Sequence, residues 1–523
     1  MRYVHRLAAA VLMSAAATPL FAAPAPGTGT AGAPFGIPKP QFSITHHSLR
    51  VGGETLRFTA TAGSLVLHND KDQPTATMFF VAYTADGVSD ESSRPVTFLY
   101  NGGPGSSSIW LEMGAFGPKR VETTDAGATP PPPYKLVDNG DSLLDRSDLV
   151  FIDAPGTGFS RVVGAGKPKD FYSVDGDGRA FTQFIRGYLD KYRRWNSPRF
   201  LLGESYGTTR SAVLAEDLQQ DGVALNGVIL LSSILNFQTA SFNPGNDLPY
   251  VLYLPTYAAS AYYHKALPQQ PKDFKAFIAQ VEQFATGAYA GALRAGSRLD
   301  DAARADVLKK LHRYTGLSEG YWSNANLRVN NSQFEKELLR GKGKVTGRLD
   351  SRYTGWSVDL LGEDQNWDPM SASVGPAFAA AFHRYLQGYL GYTPHRRYRL
   401  LSLAVNRAWT WKHTGPLDRR GGGQGWPGYV NVAPDLALAM TQNPHLQVMV
   451  NSGYYDLGTP FFATDYTFDH LFDPVAGTKR LQDRVHRHDY ASGHMIYLNP
   501  GALKRFKANV ARFIERATSA GHG

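Results

Sequence analysis

Residues 199–207 read RFLLGESYG, an apolar run that ends in a serine held between two glycines. The run has the length and composition of a buried strand, and the residues after it have helical spacing. Passing from strand to helix within one residue demands an unusual backbone. Gly203 and Gly207 permit the close approach this needs, and the Ser205 hydroxyl is thereby lifted above the sheet edge. The next N–H and the start of the helix then point at the space beside that hydroxyl, where an acyl oxyanion would form. A chain with 53 glycines also meets this spacing by chance, so a serine in an ordinary glycine turn is the plain alternative until partners are found.

The rest of the pattern suits such a turn. TMFFVAYTA, PVTFLYNGG, SDLVFIDAPG and GVILLSS are short runs rich in β-branched and aromatic residues. They read as buried strands emptying into loops. Between them, Phe181, Phe184, Ile185, Tyr188, Leu189 and Tyr192 recur at helical spacing. FSITHHSLRVGGETLRFTATAGSLVL alternates apolar and polar residues about Gly52 and Gly53, which predicts a hairpin containing His46 and His47. Strand and helix in turn predict an α/β fold, a mostly parallel sheet with helices on both faces.

From 243 to 395 the spacing is helical with Tyr, Trp and Gly interruptions, and this stretch reads as an inserted, mainly helical cap. After a Gly-rich stretch from Gly421 to Gly428, the strand pattern resumes at HLQVMVNSGYYDLGTP. A last amphipathic helix carries Leu503, Phe506, Val510, Phe513 and Ile514 on one face. The expected organisation is a core over 41–242 and 396–517, the cap at 243–395 between them, and a tail at 518–523.

MRYVHRLAAAVLMSAAATPLFAAPAP has two arginines, an Ala-rich apolar run and small residues at Ala22 and Ala23. That layout predicts an export leader over 1–23 and a spacer over 24–40, hence a periplasmic or secreted protein. No later stretch offers eighteen uninterrupted apolar residues, so no membrane is expected for the mature form. The chain has no cysteine, which excludes thiol catalysis, Cys-based metal sites and disulfide bracing. Lys plus Arg exceed Asp plus Glu by 54 − 45 = 9, but the charges are scattered without an aromatic stripe, so no nucleic acid is expected either. At 523 residues and 42% hydrophobic, the chain can bury a large core without cross-links.

A serine needs a base and a carboxylate to act as a nucleophile, and in this topology both should follow it in the chain. Asp456 stands after the apolar run LQVMVNSGYY, and His494 lies in the Gly-flanked loop YASGHMIYLNP. His486 and His488, two apart on one strand, are a weak metal signal and read as solvated. A second glycine-bared loop, LYNGGPGSSS, follows a strand at 99–108 and could offer another oxyanion N–H.

NGGPGSSS, VFIDAPGTGFS, GESYG, the strand end at Asp456 and GHM occur in the order in which serine carboxypeptidases of the α/β-hydrolase fold carry them. Over nearly its whole mature length the chain resembles that family, in an exported bacterial branch. The resemblance implies Ser205 as nucleophile, His494 as general base and then acid, and Asp456 as its orienting partner. It implies Gly103 and Tyr206 as oxyanion-hole donors, and Asn101, Gly102 and a protonated Glu204 at the substrate's terminal carboxylate. Met495 would line the pocket of the leaving residue. It implies peptide substrates with a free C-terminal carboxylate and no metal or organic cofactor, and it leaves the oligomeric state open.

The chain departs from the family in three places. Ser106 stands where the family has a cysteine. Ala115 stands where a second glutamate often precedes the GP step, which leaves open whether Glu112, one helical turn earlier, takes its place. GTTR follows the turn, with Arg210 as a substrate contact or a structural ion pair. Two other functions compete: an esterase or acyltransferase using the same three residues, and a non-catalytic peptide-binding protein.

Overall fold

In the computed structural model, which describes residues 41–416, 428–471 and 480–519, the apolar runs pair into one long sheet. Its strands lie in the order Phe42–Val51, Glu54–His68, Pro74–Ala85, Asp148–Ile152, Val96–Tyr100, Arg199–Glu204, Gly227–Leu231, Gln447–Gly453 and Val485–Tyr490. The first four pair antiparallel, beginning with the hairpin about Gly52 and Gly53. From Asp148–Ile152 onward every pairing is parallel. The leader, the spacer, the Gly-rich stretch as far as Pro427 and residues 520–523 of the tail fall outside the described residues.

Burial follows from the pairing. The strands Val96–Tyr100, Asp148–Ile152 and Gly227–Leu231 are buried at every residue, as strands covered on both faces must be. Phe98 and Tyr100 face a core with Phe181, Phe184 and Leu214 from the helices Val174–Lys191 and Tyr206–Gln220. Leu99, between them, faces the opposite core with Phe378 and Phe506 from the helices Pro369–Gly388 and Pro500–Ser519. The helix Val174–Lys191 starts seven residues before the first apolar residue of its spacing. Ser173 caps it by accepting from the Gly176 amide at 3.0 Å, and Asp175 and Asp177 stand in its first turn.

Residues 248–337 are mostly helical and build a third core, in which Tyr257 stacks on Phe334 and Trp322 is fully buried. Tyr455 and Leu457, which flank Asp456, belong to this core too. The helical pattern is broken by a short ribbon, Lys344–Thr346 paired with Thr354–Trp356. Its connecting turn, residues 347–353, runs beside the site described next.

Candidate active site

At the end of the strand Arg199–Glu204, Ser205 has φ 62° and ψ −129°. That is a strained conformation for a side-chain-bearing residue, of the kind that persists where surrounding structure over-determines it. The surroundings here are tight. The Ser205 amide donates to the Leu231 carbonyl at 3.0 Å, and the Thr208 amide to the Ser205 carbonyl at 2.8 Å. A Cβ on Gly203 would lie 2.2 Å from the Gly207 carbonyl oxygen, so only glycine allows this turn.

Asp456 and His494 come from the loops after the two neighbouring strands, Gln447–Gly453 and Val485–Tyr490. The Asp456 carboxylate is fully buried. Its Oδ1 accepts from the amides of Gly458 at 2.8 Å and Thr459 at 3.1 Å; its Oδ2 accepts from the Thr459 hydroxyl and from His494 Nδ1, both at 2.7 Å. With Nδ1 bound, Nε2 is the ring nitrogen left to exchange a proton. Burial works to lower the His494 pKa, but the charge and hydrogen bond of Asp456, with Glu204 adding to them, hold it above the ordinary histidine value. The His494 carbonyl accepts from the Ser232 hydroxyl at 2.6 Å. Residues 231 and 232 therefore tether Ser205 on one side and His494 on the other.

Glu204, directly before the serine, is buried and accepts from the Tyr497 hydroxyl at Oε2, 2.8 Å away. The Asn101 side chain lies beside it and also favours the charged form. Burial, opposed by His494 and these two side chains, pushes the Glu204 carboxyl up to about 7. Asn101 is itself fixed, its Oδ1 accepting from the Leu111 amide at 3.0 Å and its carbonyl from Arg210 Nη1 at 2.8 Å. A Cβ on Gly102 would meet the backbone nitrogens of Tyr206 and Gly207 at 2.5 and 2.6 Å. The glycine-rich loop thus lies directly on the turn that presents Ser205. Gly103 follows at φ 107°. Met495 is buried in the same core as Tyr497.

Two open readings resolve in the geometry. Arg210 is a structural ion pair: fully buried, it bonds Asp177 at 2.7 Å and stacks over Phe181 as it holds the Asn101 carbonyl. Glu112 does not join Glu204. Its Oε1 accepts from the Tyr83 hydroxyl at 2.5 Å, Tyr83 bonds Tyr385 at 2.7 Å, and burial pushes the Glu112 carboxyl up to about 8. The turn Leu111–Phe116 directs it into the core beneath the sheet. His486 and His488, read as solvated, are half-buried instead, with His486 against Phe513, because the final helix packs across their strand. Among the described residues, no group of three or more His, Cys, Asp or Glu is placed to hold a metal ion.

Several neighbours of the site escaped sequence reasoning. Thr459 had a signal, since Asp-x-Gly-Thr after a strand is a side-chain-capped turn. Tyr497 had a weaker one, three residues after His494 in the short 3-10 turn Ile496–Leu498. The segment 348–352 had none. There the Leu349 carbonyl accepts from the His494 amide at 2.7 Å, and Asp350 Oδ2 accepts from the Gly493 amide at 3.2 Å. Trp409 and Trp411, packed edge-on to Tyr206, were missed as well.

Residues 52–283 match the family model described as serine carboxypeptidase. Over 126 residues the chain is 31% identical to the pheromone-processing carboxypeptidase KEX1 of Saccharomyces cerevisiae, a match covering 24% of this chain and 16% of that relative's length. The fold is similar to the crystal structure of KEX1(delta)P, a prohormone-processing carboxypeptidase from the same yeast. The TM-score is 0.51 at 16% identity, over 90% of this chain and 92% of that one. The architecture is that of the α/β hydrolases, and the segment match supports the serine carboxypeptidase family.

Proposed function

We propose that the protein is a serine carboxypeptidase that removes the C-terminal residue of peptides through Ser205, His494 and Asp456. The observation that carries this reading is the buried His494–Asp456 hydrogen bond tethered, through residues 231 and 232, to the strained turn bearing Ser205. Ser205 Oγ attacks the last peptide carbonyl while its proton passes to His494 Nε2, and the imidazolium is stabilised by Asp456. The N–H groups of Gly103 and Tyr206 receive the oxyanion. Collapse breaks the C–N bond, His494 returns the proton to the leaving amine, and an acyl ester remains on Ser205. Water, deprotonated by His494, then hydrolyses that ester. No step calls for a metal or organic cofactor.

Asn101, Gly102 and Glu204 form the recognition group for the free terminal carboxylate, with Met495 beside the leaving residue. A neutral Glu204 donates a hydrogen bond to that carboxylate; an ionised one repels it. Binding is therefore strongest below the Glu204 value of about 7 and weakens above it. Export of the protein, in a bacterial branch of the family, is inferred from residues 1–23; within the region 243–395 the helices of 248–337 are read as a cap over the site, whereas the helix Pro369–Gly388 packs into the sheet's own core. Among the described residues no helix is long and apolar enough to cross a membrane.

The test is amino-acid release from an N-blocked dipeptide offered as free acid, as amide and as ester. Release from the free acid, lost in Ser205→Ala, is expected. Equal turnover of all three substrates would favour an esterase, and no turnover together with no phosphonate labelling of Ser205 would favour a peptide-binding protein.

A further inference from the structure

We propose that Tyr497 is a positioning residue of the terminal-carboxylate site, setting through Glu204 both the geometry and the pH range of substrate recognition. The inference rests on the reading of Glu204 as the acid that meets the substrate's carboxylate.

Tyr497 is almost fully buried, and its hydroxyl donates to Glu204 Oε2 at 2.8 Å. The Asn101 side chain lies beside both and favours the charged form of each. The fold makes deliberate room for the phenol. A Cβ on Gly114 would stand 2.6 Å from Tyr497 Cε2 and 2.8 Å from Cδ2, so the ring passes where any larger residue would block it. Gly114 adjoins Ala115, the position without a carboxyl. The 3-10 turn Ile496–Leu498 ties the phenol to His494 three residues back.

A carboxylic acid has two oxygens with different duties. With Oε2 accepting from Tyr497, the acid proton is directed to Oε1, the oxygen able to donate to an incoming carboxylate. The same bond favours the ionised form of Glu204 and so opposes burial. The titratable groups that face Glu204 are His494 and Asp456, from the two loops of the base, and Tyr497 itself. Removing the hydroxyl thus has two separable effects. Recognition loosens where Glu204 is neutral, and the pH at which Glu204 ionises moves up.

The experiment is KM against pH, from 5 to 9, for an N-blocked dipeptide free acid with the full-length wild type and Tyr497→Phe. Phenylalanine keeps the ring that fills the space beside Gly114. In Tyr497→Phe, KM at pH 5 is expected to rise about three- to tenfold, and the midpoint of its rise with pH to move up by about one unit, with kcat changing less. Gly114→Ala, which crowds the ring while leaving the hydroxyl in the chain, is expected to raise KM at pH 5 in the same direction. It serves as the readout should Tyr497→Phe fail to fold in a thermal melt. A pH-dependent wild-type KM left unmoved by either folded variant, a midpoint shifted downward, or an effect on kcat alone overturns the role of Tyr497. A wild-type KM flat across this range instead overturns the reading of Glu204 itself.

Discussion

The proposed nucleophile half of the site and the proposed base half are held by different means. Asn101, Gly102 and Ser205 sit at the ends of adjacent parallel strands, and the hydrogen bonds that fix Asn101 and Ser205 come from the sheet, from Arg210 on the helix Tyr206–Gln220 and from the Leu111 amide close after the glycine-rich loop. Asp456 and His494 also leave adjacent strands, yet beside the Ser232 tether at the sheet's end their loops are held from outside the sheet as well. The Leu457 amide donates to the Arg348 carbonyl at 3.0 Å, the His494 amide to Leu349, and the Gly493 amide to Asp350. Asp350 is in turn paired with Arg352 at 2.6 Å, both buried. The sheet itself provides the place where the acyl group would be attacked. The proposed proton relay beside it leans on a turn about 140 residues upstream of His494, an effect of topology that any local reading of the chain would pass over.

The difference can be broken or sharpened by substitution. Ser205→Ala sets the scale: peptide hydrolysis should fall by about 10⁶-fold in kcat, measured by amino-acid release, since the residual rate comes from binding and the oxyanion donors alone. Gly102→Ala probes the nucleophile half without touching the three proposed catalytic residues. The new Cβ would press on the backbone nitrogens of Tyr206 and Gly207, neither of which can swing aside, so the proposed oxyanion donor at Tyr206 must shift. A kcat loss of about 10²- to 10³-fold is expected.

Asp350→Ala tests the base half. It leaves the Arg352 guanidinium buried and short of its main partner and frees the Gly493 amide, so a stability loss of about 3 kcal/mol should appear in denaturant unfolding. His494 loses part of its anchorage, and kcat should drop by about 10- to 100-fold with less change in KM. Activity equal to wild type in a folded Asp350→Ala protein would show that the two halves are equally self-sufficient.

The same division explains what the sequence disclosed. The α/β architecture and the Ser205 turn were legible because they rest on local pattern: apolar runs of strand length, helical spacing, and glycines where backbones touch. Asp456 and His494 could be picked out only because chain order and loop position narrowed the choice, and the bond between them was not visible until the strands were paired. Asp350 was illegible, since a carboxylate in the polar turn of a short ribbon looks like solvated surface until the turn folds onto Gly493. The half-buried His486 and His488 were misread for the mirror reason. Their strand looks polar, and the helix that covers it lies beyond the reach of any window on the sequence.

The smallest expected effect concerns the two buried glutamates, which burial perturbs alike but which differ in what they face. Glu204, pushed up to about 7, lies among His494, Asp456, Asn101 and Tyr497. Glu112, pushed up to about 8, faces Tyr83 and the more distant charge of Asp153. If recognition depends on one protonated carboxyl, Glu204→Gln should remove the pH dependence of KM for free-acid substrates, because an amide donates at every pH; wild-type KM should climb about tenfold per pH unit above 7. Glu112→Gln should leave KM within about twofold of wild type at every pH, since the substituted side-chain amide still accepts from Tyr83 and meets no substrate. A KM profile that moves with Glu112→Gln would mean the two carboxyls are coupled through the turn Leu111–Phe116, whose Leu111 amide grips Asn101, and the recognition group would then extend beneath the sheet.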